Sequence, residues 1–272
     1  MQSEPSEQSD FGFFGNDRPR GRGVYLLPGA FTVGNLLCGF YAVLATLQGG
    51  AAQFDAAAQA IGFAIVFDMF DGFVARMTRT NTEFGKQFDS LADMVSFGIA
   101  PAVLAFAWGV QVMMRTDGTE GRHVHQLAWL VCLAFVICCA WRLARFNVQG
   151  MAPGGLRYFV GMPTPAAAGM IAATVHFVGS PIEDWRWSMA WLALVLSVAA
   201  LMVSSIRYPS FKGLPLGKRQ HSLTIIAATL LVGAIVRYSE QVLMLIAGTY
   251  YFTGLGLHAA RLVRHRLISR MA

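Results

Sequence analysis

Charge is what this sequence has least of. Only 13% of its 272 residues are Asp, Glu, Lys or Arg, against 55% hydrophobic, and the mean hydropathy is +0.50. Soluble domains carry roughly 25% charged residues, so this composition excludes an ordinary soluble fold. Cysteine is scarce as well. Cys38, Cys132, Cys138 and Cys139 all lie inside apolar runs and none makes a C-x-x-C pair, which argues for core packing over metal or redox work. The apolar runs do not alternate with polar residues, which excludes a membrane β-barrel. No internal repeat is visible, and no stretch reads as a separate soluble domain. The polar exception is residues 1–24, with Pro5, Pro19 and several glycines but no apolar core of signal-peptide type; they read as a flexible cytosolic tail.

What is present instead is a series of apolar runs long enough to cross a bilayer. The expected spans are 27–48, 53–75, 90–114, 127–148, 163–180, 187–206, 222–237 and 240–259, the seventh being short. The expected fold class is therefore an all-α, polytopic membrane bundle of about eight transmembrane helices. Residues 25–215 form a core of six spans, and 216–272 add two more and a basic cytosolic C-terminus. Small residues such as Ala166, Ala167, Ala168, Gly169, Ala172 and Ala173 would let these helices approach closely. With eight spans and the N-terminus inside, 17 of the 21 Lys and Arg residues fall on the cytosolic side. That bias places both termini in the cytosol, consistent with a bacterial inner (cell) membrane. The basic pI of about 9.4 arises from residues at span ends, where they meet lipid headgroups, so nucleic-acid binding is not expected.

Against this background four aspartates stand out. Asp68, Asp71, Gly72 and Ala75 fall at i, i+3, i+4 and i+7 and share one helix face; Gly85, Asp89 and Asp93 fall at i, i+4 and i+8 and share a face of a second helix. Ionised carboxylates at a membrane boundary cost of the order of a few kcal/mol each unless something positive holds them. Oxygen-only ligands, with no His or Cys among them, suit hard cations such as Mg²⁺, Mn²⁺ or Ca²⁺, and four can hold two ions astride a diphosphate. Arg76 adds a forked donor for phosphate oxygens or for an aspartate. A solvated loop pairing these aspartates with Arg76, Arg79 and Lys86 is the blander reading, and the interleaved Gly and Ala argue against it. A cation-coupled transporter is the rival from another class, but its site would lie near mid-membrane on broken helices.

The pattern Asp68-x2-Asp71-Gly72-x2-Ala75-Arg76-x8-Gly85-x3-Asp89-x3-Asp93 resembles the signature of the CDP-alcohol phosphatidyltransferase family at every fixed position. The resemblance implies attack by an alcohol hydroxyl on the β-phosphorus of a CDP-linked lipid, with release of CMP. It implies Asp68, Asp71 and Asp89 as ligands to divalent metal, and Asp93 as general base and further metal contact. Gly72, Ala75, Arg76, Thr82 and Gly85 would line the CDP-diacylglycerol site. It also implies a homodimer.

Flanking blocks narrow the acceptor. Leu27-Pro28 through Gly39, Met94 through Pro101, Cys139 through Asn147, Phe159 through Pro165 and Ser204 through Lys212 are similar to the serine-using branch of that family, the integral-membrane phosphatidylserine synthases. L-serine is thus the expected acceptor; sister enzymes use glycerol phosphate, an inositol compound or choline. Serine is a zwitterion, and Arg142, Arg145, Asn147 and Arg207 are candidates to bind it, Arg being suited to a carboxylate. Positive-inside anchoring is the alternative role for these arginines. Thr32 and Asn35, one turn apart, are candidates for the cytidine or a phosphate and equally for helix packing. Pro163 and Pro165 stiffen the start of the fifth span, and the histidines, His176 among them, read as packing or interfacial residues.

Overall fold

The computed structural model describes residues 26–78, 82–110, 119–149, 158–209, 229–230 and 233–271. Helices dominate. They are α1 (Leu26–Gln48), α2 (Ala51–Thr78), α3 (Glu83–Asp93), α4 (Ala100–Val110), α5 (Thr119–Gln149), α6 (Thr164–Val178), α7 (Trp185–Val203) and α8 (Ser239–Met271). A π-helical turn, Met94–Ile99, joins α3 to α4 without a break, so Glu83–Val110 is one apolar rod. Among the described residues, five segments are long and apolar enough to cross a membrane: α1, α2, the α3–α4 rod, α5 and α7. Helix α6 is apolar but has only 15 residues, about 22 Å at 1.5 Å per residue, short of a hydrocarbon core of roughly 30 Å. The expected seventh span, 222–237, lies largely outside the described residues. The third span begins earlier than its apolar run suggests. The Thr82 hydroxyl accepts from the Gly85 amide at 3.0 Å and caps α3, so the helix starts in polar sequence before Asp89.

The turns follow from residue type. Gly49 and Gly50 adopt φ of 72° and 92°, a region open to glycine, and reverse the chain between α1 and α2. The α1–α2 seam is lined by buried Ala42, Ala45, Ala57 and Ala64, whose small side chains allow close approach. Helix α6 begins after Pro163 with Pro165 in its first turn, where a missing amide does no harm, and ends at Gly179 with φ 74°. One short ribbon interrupts the all-α pattern: β1 (Tyr158–Val160) pairs antiparallel with β2 (Arg207–Pro209), Phe159 opposite Tyr208. It ties the chain before α6 to the chain after α7.

Contacts define the two ends of the bundle. At one end lie the start of α1, the end of α2, α3, the end of α5 and the ribbon. At the other, Ser188 Oγ donates to the Gly109 carbonyl at 2.7 Å, Trp191 Nε1 to the Ala105 carbonyl at 2.9 Å, and the Trp108 and Trp191 rings meet edge to face at 4.9 Å. Outward faces are apolar: Leu37, Phe63, Trp141 and Leu245 are each more than 60% exposed. So much bare hydrocarbon around so many helices defines an integral membrane protein, its exterior solvated by lipid.

Candidate active site

The four aspartates occupy the first of these ends. Asp68 and Asp71 stand on the last third of α2, Asp89 and Asp93 on the second half of α3. Asp68, Asp89 and Asp93 each present a carboxylate oxygen within 4.8 Å of the other two. Asp71 faces the same group and lies within electrostatic reach of all three, but its carboxylate takes the Thr32 hydroxyl. Two unit charges at about 4 Å repel by roughly 4 kcal/mol at an effective dielectric of ~20, so three crowded carboxylates call for a counter-charge. Asp89 Oδ1 is buried with no hydrogen-bond partner among the described residues. Oxygen-only ligands, mutual crowding and an unpartnered buried oxygen together fit a divalent cation of the hard type.

Helix α1 holds the cluster from outside. Thr32 and Asn35 lie one turn apart; the first reaches Asp71 on α2, and the second donates from Nδ2 to Asp93 Oδ1 at 3.0 Å. Both side chains are buried. Of the two roles the sequence leaves open for this pair, nucleotide contact or helix packing, the described contacts are with the aspartates themselves. Asn35 is fixed in turn. Ser96 Oγ, within the π turn, donates to the Asn35 backbone carbonyl at 2.9 Å. Gly39, one turn further along α1, approaches so closely that a Cβ there would sit 2.3 Å from Ser96 Oγ and 2.7 Å from Ser96 Cα. Ser96 lies in the π turn, which begins immediately after Asp93. Ser96 is the supporting contact that sequence reasoning missed; its one signal is a small polar residue in an apolar run, three positions beyond Asp93.

The remaining candidates are spread around this centre. Gly72 follows Asp71 on α2, half-buried. Ala75 and Arg76 lie in the same helix, their side chains outside the described residues. Gly85 is exposed in the first turn of α3, where an added Cβ would meet only the capping Thr82 hydroxyl. On α5, Arg142 is half-buried, within electrostatic reach of Asp93 and Tyr250, and its Nε is a buried donor with no acceptor among the described residues. Arg145, one turn on, is also half-buried. Asn147 Nδ2 donates to Ser90 Oγ at 2.8 Å and so clasps α5 to α3. Arg207 pairs through its backbone with Val160 in the ribbon, and its side chain lies outside the described residues.

Three buried polar atoms without a partner among the described residues thus belong to this region: Asp89 Oδ1, Asn35 Oδ1 and Arg142 Nε, the last within electrostatic reach of Asp93. Leaving a buried donor or acceptor unsatisfied costs about 1–3 kcal/mol, more when the group is charged. Such atoms gathered around charged groups mark a place built to receive something.

Comparison with known proteins accords with this arrangement. The CDP-alcohol phosphatidyltransferase model matches residues 25–199, and the chain belongs to that family. Among its relatives, a CDP-diacylglycerol–serine O-phosphatidyltransferase of Helicobacter pylori (strain ATCC 700392 / 26695) is 33% identical over 195 residues, covering 70% of this chain and 74% of the relative. A Mycobacterium leprae (strain TN) protein of the same name is 31% identical over 228 residues, 80% of this chain and 69% of the relative. An archaetidylserine synthase of Methanothermobacter thermautotrophicus is 34% identical over 190 residues, 69% of this chain and 71% of the relative.

Proposed function

We propose that the protein is a phosphatidylserine synthase, moving the phosphatidyl group of CDP-diacylglycerol onto the hydroxyl of L-serine with release of CMP. The observation that carries this reading is the convergence of Asp68, Asp89 and Asp93 from α2 and α3 to within 4.8 Å, with Asp89 Oδ1 buried and without a partner among the described residues. Its kinship with the serine transferases named above supports serine as the acceptor.

Divalent metal, Mg²⁺ or Mn²⁺ with Ca²⁺ also suited to oxygen ligands, would be held as two ions by Asp68, Asp71, Asp89 and Asp93, and when bound would supply the positive charge that offsets the diphosphate and the departing phosphate. Asp93 takes the proton from the serine hydroxyl. The freed oxygen pair forms a bond to the β-phosphorus, the bond from that phosphorus to the oxygen bridging to CMP breaks, and CMP leaves with the electron pair. Asn35 restricts this base to one orientation by donating to its Oδ1. Gly72, Ala75, Arg76, Thr82 and Gly85 line the path of the CDP headgroup, while Thr32 fixes Asp71. Arg142 takes the serine carboxylate through Nε, which has no acceptor among the described residues, with Arg145, Asn147 and Arg207 as further contributors. The site opens on the cytosolic face of an inner membrane, both termini on that side, as the distribution of Lys and Arg supports. Family membership alone supports a homodimer as the working unit.

The test is an acceptor panel. Purified protein with CDP-diacylglycerol and Mg²⁺ or Mn²⁺ is given serine, glycerol 3-phosphate, inositol phosphate or choline, and CMP is measured. Serine-dependent CMP release, abolished by a chelator, is the expected result. Release with another alcohol and not with serine would move the protein to a sister activity.

A further inference from the structure

We propose that Asn35 Oδ1 is the acceptor for the serine ammonium, so that Asp93, Asn35 and Arg142 read the three polar groups of the substrate, hydroxyl, ammonium and carboxylate. The inference rests on the serine-transferase reading above and assigns Asn35 a partner that neither the sequence pattern nor the relatives supply.

The argument begins with the orientation of one amide. An ionised carboxylate only accepts hydrogen bonds, so the Asn35 nitrogen, not its oxygen, faces Asp93 Oδ1, at 3.0 Å. Oδ1 is then committed to the other direction. It is buried, the side chain is 0% exposed, and no donor reaches it among the described residues. The amide is engaged through its nitrogen by Asp93, and the backbone that carries it is held as well. Ser96 holds the Asn35 backbone carbonyl, and the Gly39 backbone is wedged against Ser96 one turn along. The result is a fixed acceptor one amide-width from the proposed base.

An ammonium answers this acceptor. It offers three donors and no acceptor, and in serine it sits on the carbon next to the one that bears the hydroxyl. A serine whose hydroxyl reaches Asp93 therefore brings its nitrogen to the immediate surroundings of that residue, where Asn35 Oδ1 is waiting. The carboxylate hangs from the same carbon, and the opposite kind of orphan, the buried Arg142 Nε donor, lies within electrostatic reach of Asp93. One unmet acceptor and one unmet donor around a single base are the mirror image of a zwitterionic alcohol. A diphosphate cannot play this part, because its oxygens only accept.

The test compares serine with 3-hydroxypropanoate, which has hydrogen in place of the ammonium. Each is titrated by calorimetry into protein saturated with CMP, a combination that cannot turn over. The wild type is expected to prefer serine by at least about tenfold, the order of one hydrogen bond to a charged group. Asn35→Leu should bring that preference to within about threefold of unity, because serine loses more affinity than 3-hydroxypropanoate does. The ratio compares two ligands on one preparation, so a smaller folded fraction leaves it unchanged. Asn35→Asp keeps an oxygen in place and should retain the preference even as turnover falls. An unchanged ratio in Asn35→Leu, or weakened CMP binding with serine preference intact, overturns the assignment while serine-dependent CMP release by the wild type leaves the activity standing. A wild type that releases CMP only with alcohols lacking an ammonium overturns both.

Discussion

Asp55 and Asp89 stand at opposite ends of one helix bundle and live in opposite circumstances. At the far end Asp55 uses both oxygens: Oδ1 meets His176 Nδ1, and Oδ2 accepts from Gln59 Nε2 at 2.9 Å. His176 spends its second nitrogen on Ser239 Oγ at 2.9 Å, so α2, α6 and α8 are tied by a closed chain of bonds. Asp89 shares a 4.8 Å neighbourhood with two further carboxylates and keeps a buried oxygen that nothing meets among the described residues. The far end has orphans too, Trp108 Nε1 and His125 Nδ1, but they are ring nitrogens in an aromatic belt and do not gather around a charged group. The lesson lies in the polar inventory. A carboxylate whose oxygens are all taken is a fastener, and one left open beside other open groups is a site.

That contrast is broken most severely at the proposed base. Asp93→Asn keeps shape and the option of a bond to Asn35 but removes the proton acceptor, and turnover should fall by about 10²- to 10⁴-fold. Asp55→Asn, the same chemical change at the far end, should leave turnover per folded protein within about threefold. Measuring CMP release for both variants in one detergent preparation checks the claim; comparable losses would mean that the two ends are not functionally distinct.

The next effect is on substrate recognition. Arg142→Ala removes the buried donor near Asp93 and should raise the serine KM by about ten- to a hundredfold, the range of a lost charge-assisted bond, with the KM for CDP-diacylglycerol changed less than threefold. Initial rates with each substrate varied in turn give the answer. Equal shifts in both constants would reassign Arg142 to general electrostatics or to lipid phosphate.

Much of the centre is legible in sequence because helical periodicity places Asp68 with Asp71, and Asp89 with Asp93, on common faces before any fold is known. The apolar runs likewise locate α1, α2 and α5 to within a few residues, apart from the start of α5. What periodicity does not carry is pairing between distant residues. Asp55 and His176 are 121 positions apart, and Asn35 and Asp93 are 58 apart, so neither bond has a local signature. The π turn at Met94–Ile99 is also unreadable, since one residue added to a helical turn changes no composition and breaks no apolar run. The ribbon of Tyr158–Val160 with Arg207–Pro209 is too short for a period of two to declare itself.

A steric pair of variants sharpens the comparison. Gly39→Ala drives a Cβ to 2.7 Å of Ser96 Cα, and Gly109→Ala drives one to 2.3 Å of Trp191 Cδ1. Both overpack a helix seam, and such insertions cost about 1–3 kcal/mol. Their consequences for chemistry should differ. Displacing Ser96 loosens the Asn35 carbonyl and with it Asp93, so Gly39→Ala should lose at least tenfold in turnover on top of its instability. Gly109→Ala disturbs only the Trp108–Trp191 belt and should melt earlier while each folded molecule works at close to the normal rate. Thermal melts alongside rates normalised to folded protein separate the two.

The smallest expected effect tests whether the far-end chain is a fastener and nothing more. Ser239→Ala deletes the hydroxyl that meets His176 Nε2 and leaves the His176–Asp55 contact in place. One partly buried hydrogen bond contributes about 0.5–1.5 kcal/mol, and in a chain of this size each kcal/mol shifts the melting point by roughly 2–4 °C. The variant should therefore melt a few degrees early, with serine KM and turnover within twofold of the parent. His176→Phe, which removes the centre of the chain while keeping a ring, should roughly double the shift and still spare the kinetics. Because α6 and α8 meet α2 through this chain while the aspartates gather at the opposite end, a change in serine KM from either variant would mean that bundle closure at one end is felt at the other. The division between fastener and site would then have to be replaced by a coupled pair.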